Sequence, residues 1–240
     1  MKGWLFTKTH EPLVFTEKAD PTPGKGQVVV DIKASGLCLS DVHFLDDESF
    51  MSMATGAPCY LGHECAGIVE SVGEDVTNVK VGDRIAVYNV VNAATHECIG
   101  ITQDGGYATK ILVNDYMCVP LPEKISFAQG ASATCGGLTA YHSVFTQGGA
   151  KPGMKVGIIG IGGVGQYVVG MASAIGCDVY ASSRSQKGKN IAAALGAKKV
   201  ASIIAEFADE NLDVIIDLAG ARRTLNDALI FSAIQTIHQH

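Results

Sequence analysis

The chain has 240 residues, of which 47% are hydrophobic and 18% charged, with a net charge of −6 at pH 7. This length and composition suffice for one large hydrophobic core or two modest ones. The chain contains no run of basic residues, which argues against nucleic acid and membrane surfaces as partners. Its seven cysteines include no Cys-x-x-Cys pair, a pattern that favours a reducing, cytoplasmic location over a disulfide framework.

Residues 1–150 predict a β-rich first domain. The opening residues lack the apolar core and cleavage site of a secretory signal. Short runs of β-branched residues bounded by turn residues follow, and they cover residues 28–34, 66–72, 84–88 and 108–113. Such runs indicate an irregular β barrel or sandwich. Residues 127–145 then have a more helical rhythm, and Lys151-Pro152-Gly153 marks the predicted end of the domain.

Residues 151–240 predict a second domain in which strands and helices alternate. The predicted strands are residues 156–160, 178–182 and 212–218, and the predicted helices are residues 166–175 and 187–195. Apolar strands that alternate with helices are typical of a buried, doubly wound parallel sheet. The uncharged run 156–177 is long enough to span a bilayer, but its seven glycines favour a buried strand followed by a helix.

A glycine-rich turn connects the first predicted strand and helix of this second domain. It reads Gly160-Ile-Gly162-Gly163-Val164-Gly165, which matches the GxGxxG pattern of dinucleotide-binding proteins. The first glycine permits the tight turn, the second lets a pyrophosphate approach the backbone, and the third lets helix and strand pack closely. The pattern alone is weak, but its position between a strand and a helix favours a dinucleotide site over an empty turn.

The segment after the second predicted strand bears on which dinucleotide is bound. NAD-binding members of this fold carry an acidic residue about 20 residues after the glycine turn, which holds the ribose 2′-hydroxyl. This chain has no carboxylate there, and instead offers hydroxyl groups and cations from Ser182, Ser183, Arg184, Ser185 and Lys187. These side chains suit a 2′-phosphate, so the segment predicts NADP(H), although a solvated polar loop is the alternative interpretation.

The first domain contains a candidate metal site. The stretch GLCLSDVH, residues 36–43, could be part of a metal site, a nucleophile with its helpers, or an ordinary turn. Cys38 and His63 are soft ligands, Glu64 places a carboxylate beside the histidine, and Cys135 is the best-placed third ligand. Catalytic zinc keeps three protein ligands and one open position. A single cysteine is more often a packing residue, so the hypothesis depends on the whole set.

These motifs together resemble the zinc-containing medium-chain alcohol dehydrogenases and reductases. The family's zinc signature is matched by Gly62-His-Glu-Cys-Ala-Gly67, and Gly82-Asp83, Gly105-Gly106-Tyr107, residues 135–141 and the glycine turn follow in the family's order. The resemblance covers about residues 1–220 and is nearest to the NADP-linked branch similar to cinnamyl alcohol dehydrogenases. It implies an N-terminal GroES-like barrel followed by a Rossmann sheet.

The resemblance also implies roles for individual residues. Cys38, His63 and Cys135 would hold one catalytic zinc, and Asp41 would accept a hydrogen bond from the other ring nitrogen of His63. Glu64 would lie close to the metal, Ser40 would bond the substrate hydroxyl, and His43 would pass the proton to solvent. Thr139 would contact the nicotinamide. The expected substrate is a small alcohol or aldehyde, and the family leaves a homo-oligomer open.

Three departures from the family pattern lead to further expectations. Only Cys98, beside His96, lies where the family carries four cysteines, so no structural zinc is predicted. Leu39 stands where a phosphate-binding cation is common, so backbone groups are expected to bind the pyrophosphate. After residue 221 the expected glycine turn and apolar strand are not recognisable. The sequence therefore predicts a Rossmann sheet that lacks its fifth and sixth strands.

Three functions are compatible with these observations. The first is zinc-dependent interconversion of alcohols and aldehydes or ketones with NADP(H). The second is a zinc-free quinone or enoyl reductase of the same superfamily, which the ligand set Cys38, His63 and Cys135 argues against. The third is a shortened family member that retains zinc or dinucleotide binding with little or no turnover.

Overall fold

The computed structural model describes the backbone of residues 1–238 and the side chains of residues 1–229. It divides into two compact units, Met1–Cys135 and a second unit that begins at Gly136. The sequence placed this boundary after residue 150. The difference arises because α3 (Leu138–Tyr141) and the π-helix His142–Gln147 pack against α4 (Gly163–Ala174) of the second unit.

The first unit consists mainly of short strands, in agreement with its β-branched runs. These strands are β1 (Lys2–Phe6), β2 (Val14–Glu17), β3 (Gln27–Ser35), β4 (Cys59–Tyr60), β5 (Cys65–Val72), β6 (Arg84–Val87), β7 (Val90–Asn92), β8 (Glu97–Cys98), β9 (Lys110–Asn114) and β10 (Cys118–Pro120). The larger helices are α1 (Leu39–Asp46) and α2 (Phe127–Ser132), and single 3₁₀ turns occur at Glu48–Ser52 and Asp115–Met117.

An antiparallel sheet of five strands, in the order β10-β6-β5-β3-β9, forms the centre of the first unit. Its inner face buries alternating aliphatic residues, among them Val28, Val30 and Ile111, as expected for strands with one face toward a core. A second sheet has the order β2-β1-β4. Strand β4 leads directly into residues 61–64, and β3 leads into the start of α1, so both predicted ligand segments begin at strand ends.

The second unit has the predicted alternation of strands and helices. Its elements are β11 (Lys155–Ile159), α4, β12 (Asp178–Ser182), α5 (Gln186–Ala194), β13 (Lys199–Ala201), a 3₁₀ segment (Ile204–Glu210), β14 (Leu212–Asp217), α6 (Arg222–Phe231) and β15 (Ser232–His238). All strand pairs are parallel, in the order β13-β12-β11-β14-β15. This is the doubly wound order, with β11 central and buried from Val156 onward.

The final strand corrects one expectation. The sequence predicted that no further strand follows β14, yet β15 pairs with β14 in parallel. The sequence pattern did not predict β15 because α6 passes directly into it, without the glycine turn that usually separates helix and strand. The segment nevertheless contains Ile234, Thr236 and Ile237, and β-branched residues favour strands. Residues 239–240, the end of the unassigned tail, lie outside the described residues.

The uncharged run 156–177 forms β11 and α4, as its glycine content predicted. Helix α4 has 12 residues, about 18 Å at 1.5 Å per residue, well short of a bilayer's hydrocarbon core. Among the helices in the described part of the chain, none is both long and apolar enough to cross a membrane.

Candidate metal centre and dinucleotide site

Cys38 is held at the beginning of α1. It is the N-cap residue, with extended backbone angles (φ −93°, ψ 156°), and its backbone N–H donates to Asp41 Oδ2 at 2.9 Å. This is a capping interaction in which the carboxylate of the first helical turn satisfies a free donor. The helix start therefore fixes Cys38 and Asp41 relative to each other, with the Cys38 thiol half-buried and the Asp41 side chain 1% exposed.

His63 and Glu64 lie in the link between β4 and β5, and both are buried. Gly62, immediately before them, has φ +90°, a conformation that L side chains rarely adopt. Its carbonyl accepts the backbone N–H of Gly106 at 2.7 Å, and Leu61 accepts that of Tyr107 at 2.9 Å. The predicted Gly105-Gly106-Tyr107 motif therefore braces the segment that carries His63.

Cys135 lies on a π-helical turn, Ala133–Gly137, that interrupts the helical stretch after α2. Such turns insert one extra residue into a helix and occur frequently at functional sites. The ligand atoms of Cys38, His63, Glu64 and Cys135 all lie within 4.8 Å of one another. The structure thus brings together residues that are up to 97 positions apart. No other group of three potential ligands is this close within residues 1–229.

The donor set fits a zinc ion. Two cysteine sulfurs, one imidazole and a nearby carboxylate are the ligand types that zinc prefers. Asp41 Oδ1 lies 3.5 Å from His63 Nδ1, which leaves the other ring nitrogen, Nε2, available for a metal. Both facing atoms are buried and have no hydrogen-bond partner among the described residues. A small closure of this contact would satisfy both, which is how a carboxylate orients a metal-binding histidine.

The electrostatics of the cluster also suit a cation. A hydrogen bond from Cys135 lowers the pKa of Cys38, against the opposing effect of burial. The same hydrogen bond, together with burial, raises the pKa of Cys135. Burial alone would lower the pKa of His63, but Asp41 and Cys38 outweigh it and raise this pKa to about 10. The negative charges of Asp41 and Cys38 thus favour a proton on His63, and a divalent cation can take the place of that proton.

Burial also raises the pKa of the Glu64 carboxyl group, and the charge of the nearby Cys38 adds to this effect. Its carboxylate is therefore a costly anion in the metal-free protein. A bound cation would stabilise the charged form.

The two predicted proton carriers, Ser40 and His43, lie on α1. The Ser40 hydroxyl donates to Cys38 Sγ at 3.1 Å, so it is adjacent to a metal ligand. The half-buried ring of His43 stacks on Phe50, with ring centroids 5.0 Å apart. This stacking fixes one face of the imidazole.

The glycine turn of the second unit has the geometry that the GxGxxG pattern predicts. Gly160 has φ +90°, and a β-carbon at Gly165 would lie 2.1 Å from the Gly160 carbonyl oxygen, so a side chain at either position is excluded. By contrast, a β-carbon at Gly162 or Gly163 would meet no atom within 4 Å. The turn is therefore closed on the sheet side and open where a phosphate would approach. Val164 follows within the first turn of α4.

A cavity of about 440 Å³ lies beside this turn. Gly160, Gly162 and the loop after β12 line it, the loop contributing Ser182, Ser183, Arg184 and Ser185. Helix α6 supplies further lining residues that the sequence did not suggest, including Arg223 and Asp227. The only sequence signal for them was position, because the helix that follows a parallel strand begins at the ligand edge of such a sheet.

The predicted phosphate-binding side chains have different surroundings. Ser182 is 2% exposed and its hydroxyl donates to the Ile158 carbonyl at 3.3 Å. The Ser185 hydroxyl caps α5 by accepting the Gly188 N–H at 3.0 Å. Arg184, which is exposed, and Ser183, which is half-buried, both line the cavity. Lys187 is exposed on α5 and does not line the cavity.

Thr139, expected to contact the nicotinamide, lies on α3 and does not line the cavity beside the glycine turn. It is half-buried, and its carbonyl accepts the Ser143 hydroxyl at 2.7 Å. Cys98, the single cysteine of the region for which the sequence predicts no structural zinc, is half-buried in β8, and burial raises the pKa of its thiol.

The two units together define a class of protein, a zinc-type dehydrogenase with a GroES-like domain and a Rossmann sheet. The family model of the alcohol dehydrogenase GroES-like domain matches residues 24–123, and that of the zinc-binding dehydrogenases matches residues 163–235. The chain belongs to the zinc-containing medium-chain alcohol dehydrogenase family. Both the predicted family and the predicted fold are thereby confirmed. The match supports zinc and a nicotinamide dinucleotide as cofactors.

Individual relatives agree with this assignment. The chain is 34% identical to an alcohol dehydrogenase of Geobacillus stearothermophilus, over 83% of this chain and 63% of that protein. It is 32% identical to NADP-dependent alcohol dehydrogenase C 1 of Mycolicibacterium smegmatis, over 92% of this chain and 67% of that protein. A cobalt- and zinc-bound thermostable alcohol dehydrogenase from Pyrobaculum aerophilum superposes with a TM-score of 0.86 at 27% identity. That match covers 99% of this chain and 77% of the other. The chain thus spans a little under two thirds of the length of the Geobacillus relative.

Proposed function

We propose that this protein is a zinc-dependent oxidoreductase that interconverts small alcohols with aldehydes or ketones, using NADP(H). The observation that carries the proposal is the convergence of Cys38, His63 and Cys135, with Glu64 beside them, within 4.8 Å. Zinc-free quinone and enoyl reductases of the superfamily usually lack this set, so the ligands favour the alcohol dehydrogenase reaction over that alternative.

The proposed division of roles follows the geometry of the first unit. Cys38, His63 and Cys135 would hold the ion, and Asp41 would keep the His63 ring in one tautomer through Nδ1. When bound, zinc supplies a Lewis acid that polarises a carbonyl group or lowers the pKa of an alcohol. Ser40 Oγ, adjacent to Cys38, would hold the proton that the alcohol loses or the carbonyl gains. His43, stacked on Phe50, would exchange that proton with solvent.

The second unit would bind the dinucleotide, which supplies the hydride chemistry. The open backbone at Gly162 and Gly163 leaves room for the pyrophosphate at the N-terminus of the 12-residue helix α4. Arg184 and Ser183 line the adjoining cavity without a carboxylate on their own loop, which supports the 2′-phosphorylated cofactor. Asp227 enters the same cavity from α6, so the preference depends on the balance between Arg184 and this carboxylate.

The test is a metal analysis and an activity assay on the same purified preparation of the 240-residue chain. We expect one zinc per chain and NADPH-dependent reduction in an aldehyde panel. Zinc retention without turnover would favour the binding-only alternative, and turnover without metal would favour the zinc-free reductases.

A further inference from the structure

Tyr107 is attached by its backbone to the segment that precedes His63. Its N–H donates to the Leu61 carbonyl at 2.9 Å, and the N–H of the preceding residue, Gly106, donates to the Gly62 carbonyl. The N–H of Gly105 donates to the Tyr60 carbonyl at 2.7 Å. Three consecutive bonds therefore hold residues 105–107 alongside residues 60–62, so Tyr107 and the His63 segment keep a fixed separation.

The Tyr107 ring fills the space beside Gly62. A β-carbon at Gly62 would lie 2.6 Å from Tyr107 Cδ1 and 2.8 Å from Cε1. The ring therefore packs directly against the backbone of the residue before His63, and only glycine permits this approach. Tyr107 is half-buried at this position. The packing limits rotation of the ring and directs its hydroxyl inward.

The Tyr107 hydroxyl donates to Asp41 Oδ2 at 2.9 Å, the same oxygen that accepts the Cys38 N–H at 2.9 Å. Asp41 Oδ1 is thereby left to face His63 Nδ1. Burial and the Asp41 charge raise the pKa of Tyr107, so the hydroxyl keeps the proton that it donates. Two donors on one oxygen of a buried carboxylate fix the direction of the other oxygen.

We propose that Tyr107 is a positioning residue of the metal centre, which holds the Asp41 carboxylate so that its free oxygen orients His63 for metal binding. This inference rests on the proposed zinc site. It assigns to the Gly-Gly-Tyr motif a role that the sequence did not indicate, namely a hydrogen bond that acts on the metal through two intermediate side chains.

The test is metal release from Tyr107→Phe, which removes the hydroxyl and keeps the ring. The full chain is loaded with Co²⁺, and the loss of its ligand-field absorption is followed after addition of excess chelator. Loss of a residue that supports a metal ligand typically costs 10- to 100-fold in metal affinity. Tyr107 is one step farther out, so we expect release about tenfold faster than from the unmodified chain, together with an altered cobalt spectrum.

A double-mutant comparison separates positioning from general destabilisation. In an Asp41→Asn background, Tyr107→Phe should cause little further acceleration, because the hydroxyl acts through the carboxylate. The matched control is Tyr60→Phe, since Tyr60 is fully buried in the same unit and its hydroxyl pairs with Thr16 Oγ1 at 3.0 Å instead of with Asp41. We expect Tyr60→Phe to lower the melting temperature without changing the release rate.

Three results would overturn the inference. Release from Tyr107→Phe at the unmodified rate would remove the positioning role while leaving the proposed zinc site intact. Equal acceleration by Tyr107→Phe and Tyr60→Phe would show a purely structural effect. Failure of the unmodified chain to retain Co²⁺ or Zn²⁺ would overturn both the inference and the proposed function.

Discussion

The Glu64 carboxylate occupies the space that a side chain at Gly36 would fill. A β-carbon at Gly36 would lie 2.0 Å from Glu64 Oε2 and 2.9 Å from Glu64 Cβ. The Gly36 N–H also donates to the Glu64 carbonyl at 2.8 Å. Gly36 therefore helps to fix both the main chain and the side chain of Glu64. The absence of a side chain at Gly36 leaves the space that the Glu64 carboxylate occupies.

The first prediction is that Gly36→Ala displaces Glu64 from the metal cluster. We expect weaker metal retention and a loss of stability of about 1–3 kcal/mol, as for other overpacked sites. Thermal unfolding and metal content measure the two effects. The control is Gly170→Ala within α4, where the added methyl meets no atom within 4 Å. It should stabilise the helix by about 0.5–1 kcal/mol. Unchanged metal retention by Gly36→Ala would contradict the prediction.

The second prediction concerns which residues hold the metal. His63→Ala should abolish zinc retention after dialysis, because it removes a ligand that is held between Asp41 and the cysteines. Cys98→Ala should retain a full equivalent, since Cys98 is outside the cluster. Elemental analysis of the purified variants measures both. A stoichiometry of two zinc ions per chain would contradict the assignment of one site.

The third prediction is kinetic. Ser40→Ala should lower the turnover number by about 100-fold or more while leaving the dissociation constant of the dinucleotide nearly unchanged, because the hydroxyl lies in the first unit beside Cys38. His43→Gln should give a smaller loss that imidazole buffer partly restores. Metal content is measured on both variants, because the Ser40 hydroxyl also contacts a ligand. A normal turnover number in Ser40→Ala would exclude the proposed proton transfer.

The fourth prediction concerns cofactor choice. Arg184→Ala should raise the dissociation constant of NADPH by about 10- to 150-fold, since a hydrogen bond to a charged group is worth about 1.5–3 kcal/mol. The value for NADH should change little. Arg222→Ala is the matched control, because Arg222 is exposed and does not line the cavity. Fluorescence titration with both dinucleotides measures the difference. Equal losses for the two cofactors would show that Arg184 does not bind the 2′-phosphate.

Asp227 of α6 also lines the cavity and permits a complementary experiment. Removing its charge in Asp227→Asn should tighten NADPH binding more than NADH binding, because only NADPH carries the additional phosphate charge. Tighter binding of NADH alone would assign this carboxylate a different role.

The sequence by itself determined the features that depend on short-range patterns. Runs of β-branched residues predicted strands such as β3 and β9, and the apolar run after Lys155 predicted β11. The glycine turn was predictable because each glycine has a local requirement, seen here at Gly160 and Gly165. Ligand chemistry limited the metal hypothesis to Cys38, His63 and Cys135, and the order of motifs along the chain indicated the family.

Tertiary structure alone decided which distant residues meet and which are already engaged. It joined Cys38 to Cys135 across 97 positions, placed Tyr107 on Asp41, and brought Asp227 into the dinucleotide cavity. It also directed the Ser182 hydroxyl to the Ile158 carbonyl of β11. Strand β15 follows α6 without a turn residue that would have predicted it from the sequence. The physical reason is that periodicity and turn chemistry act between near neighbours in sequence. Hydrogen bonds, burial and excluded volume between separate elements exist only once the backbone is folded.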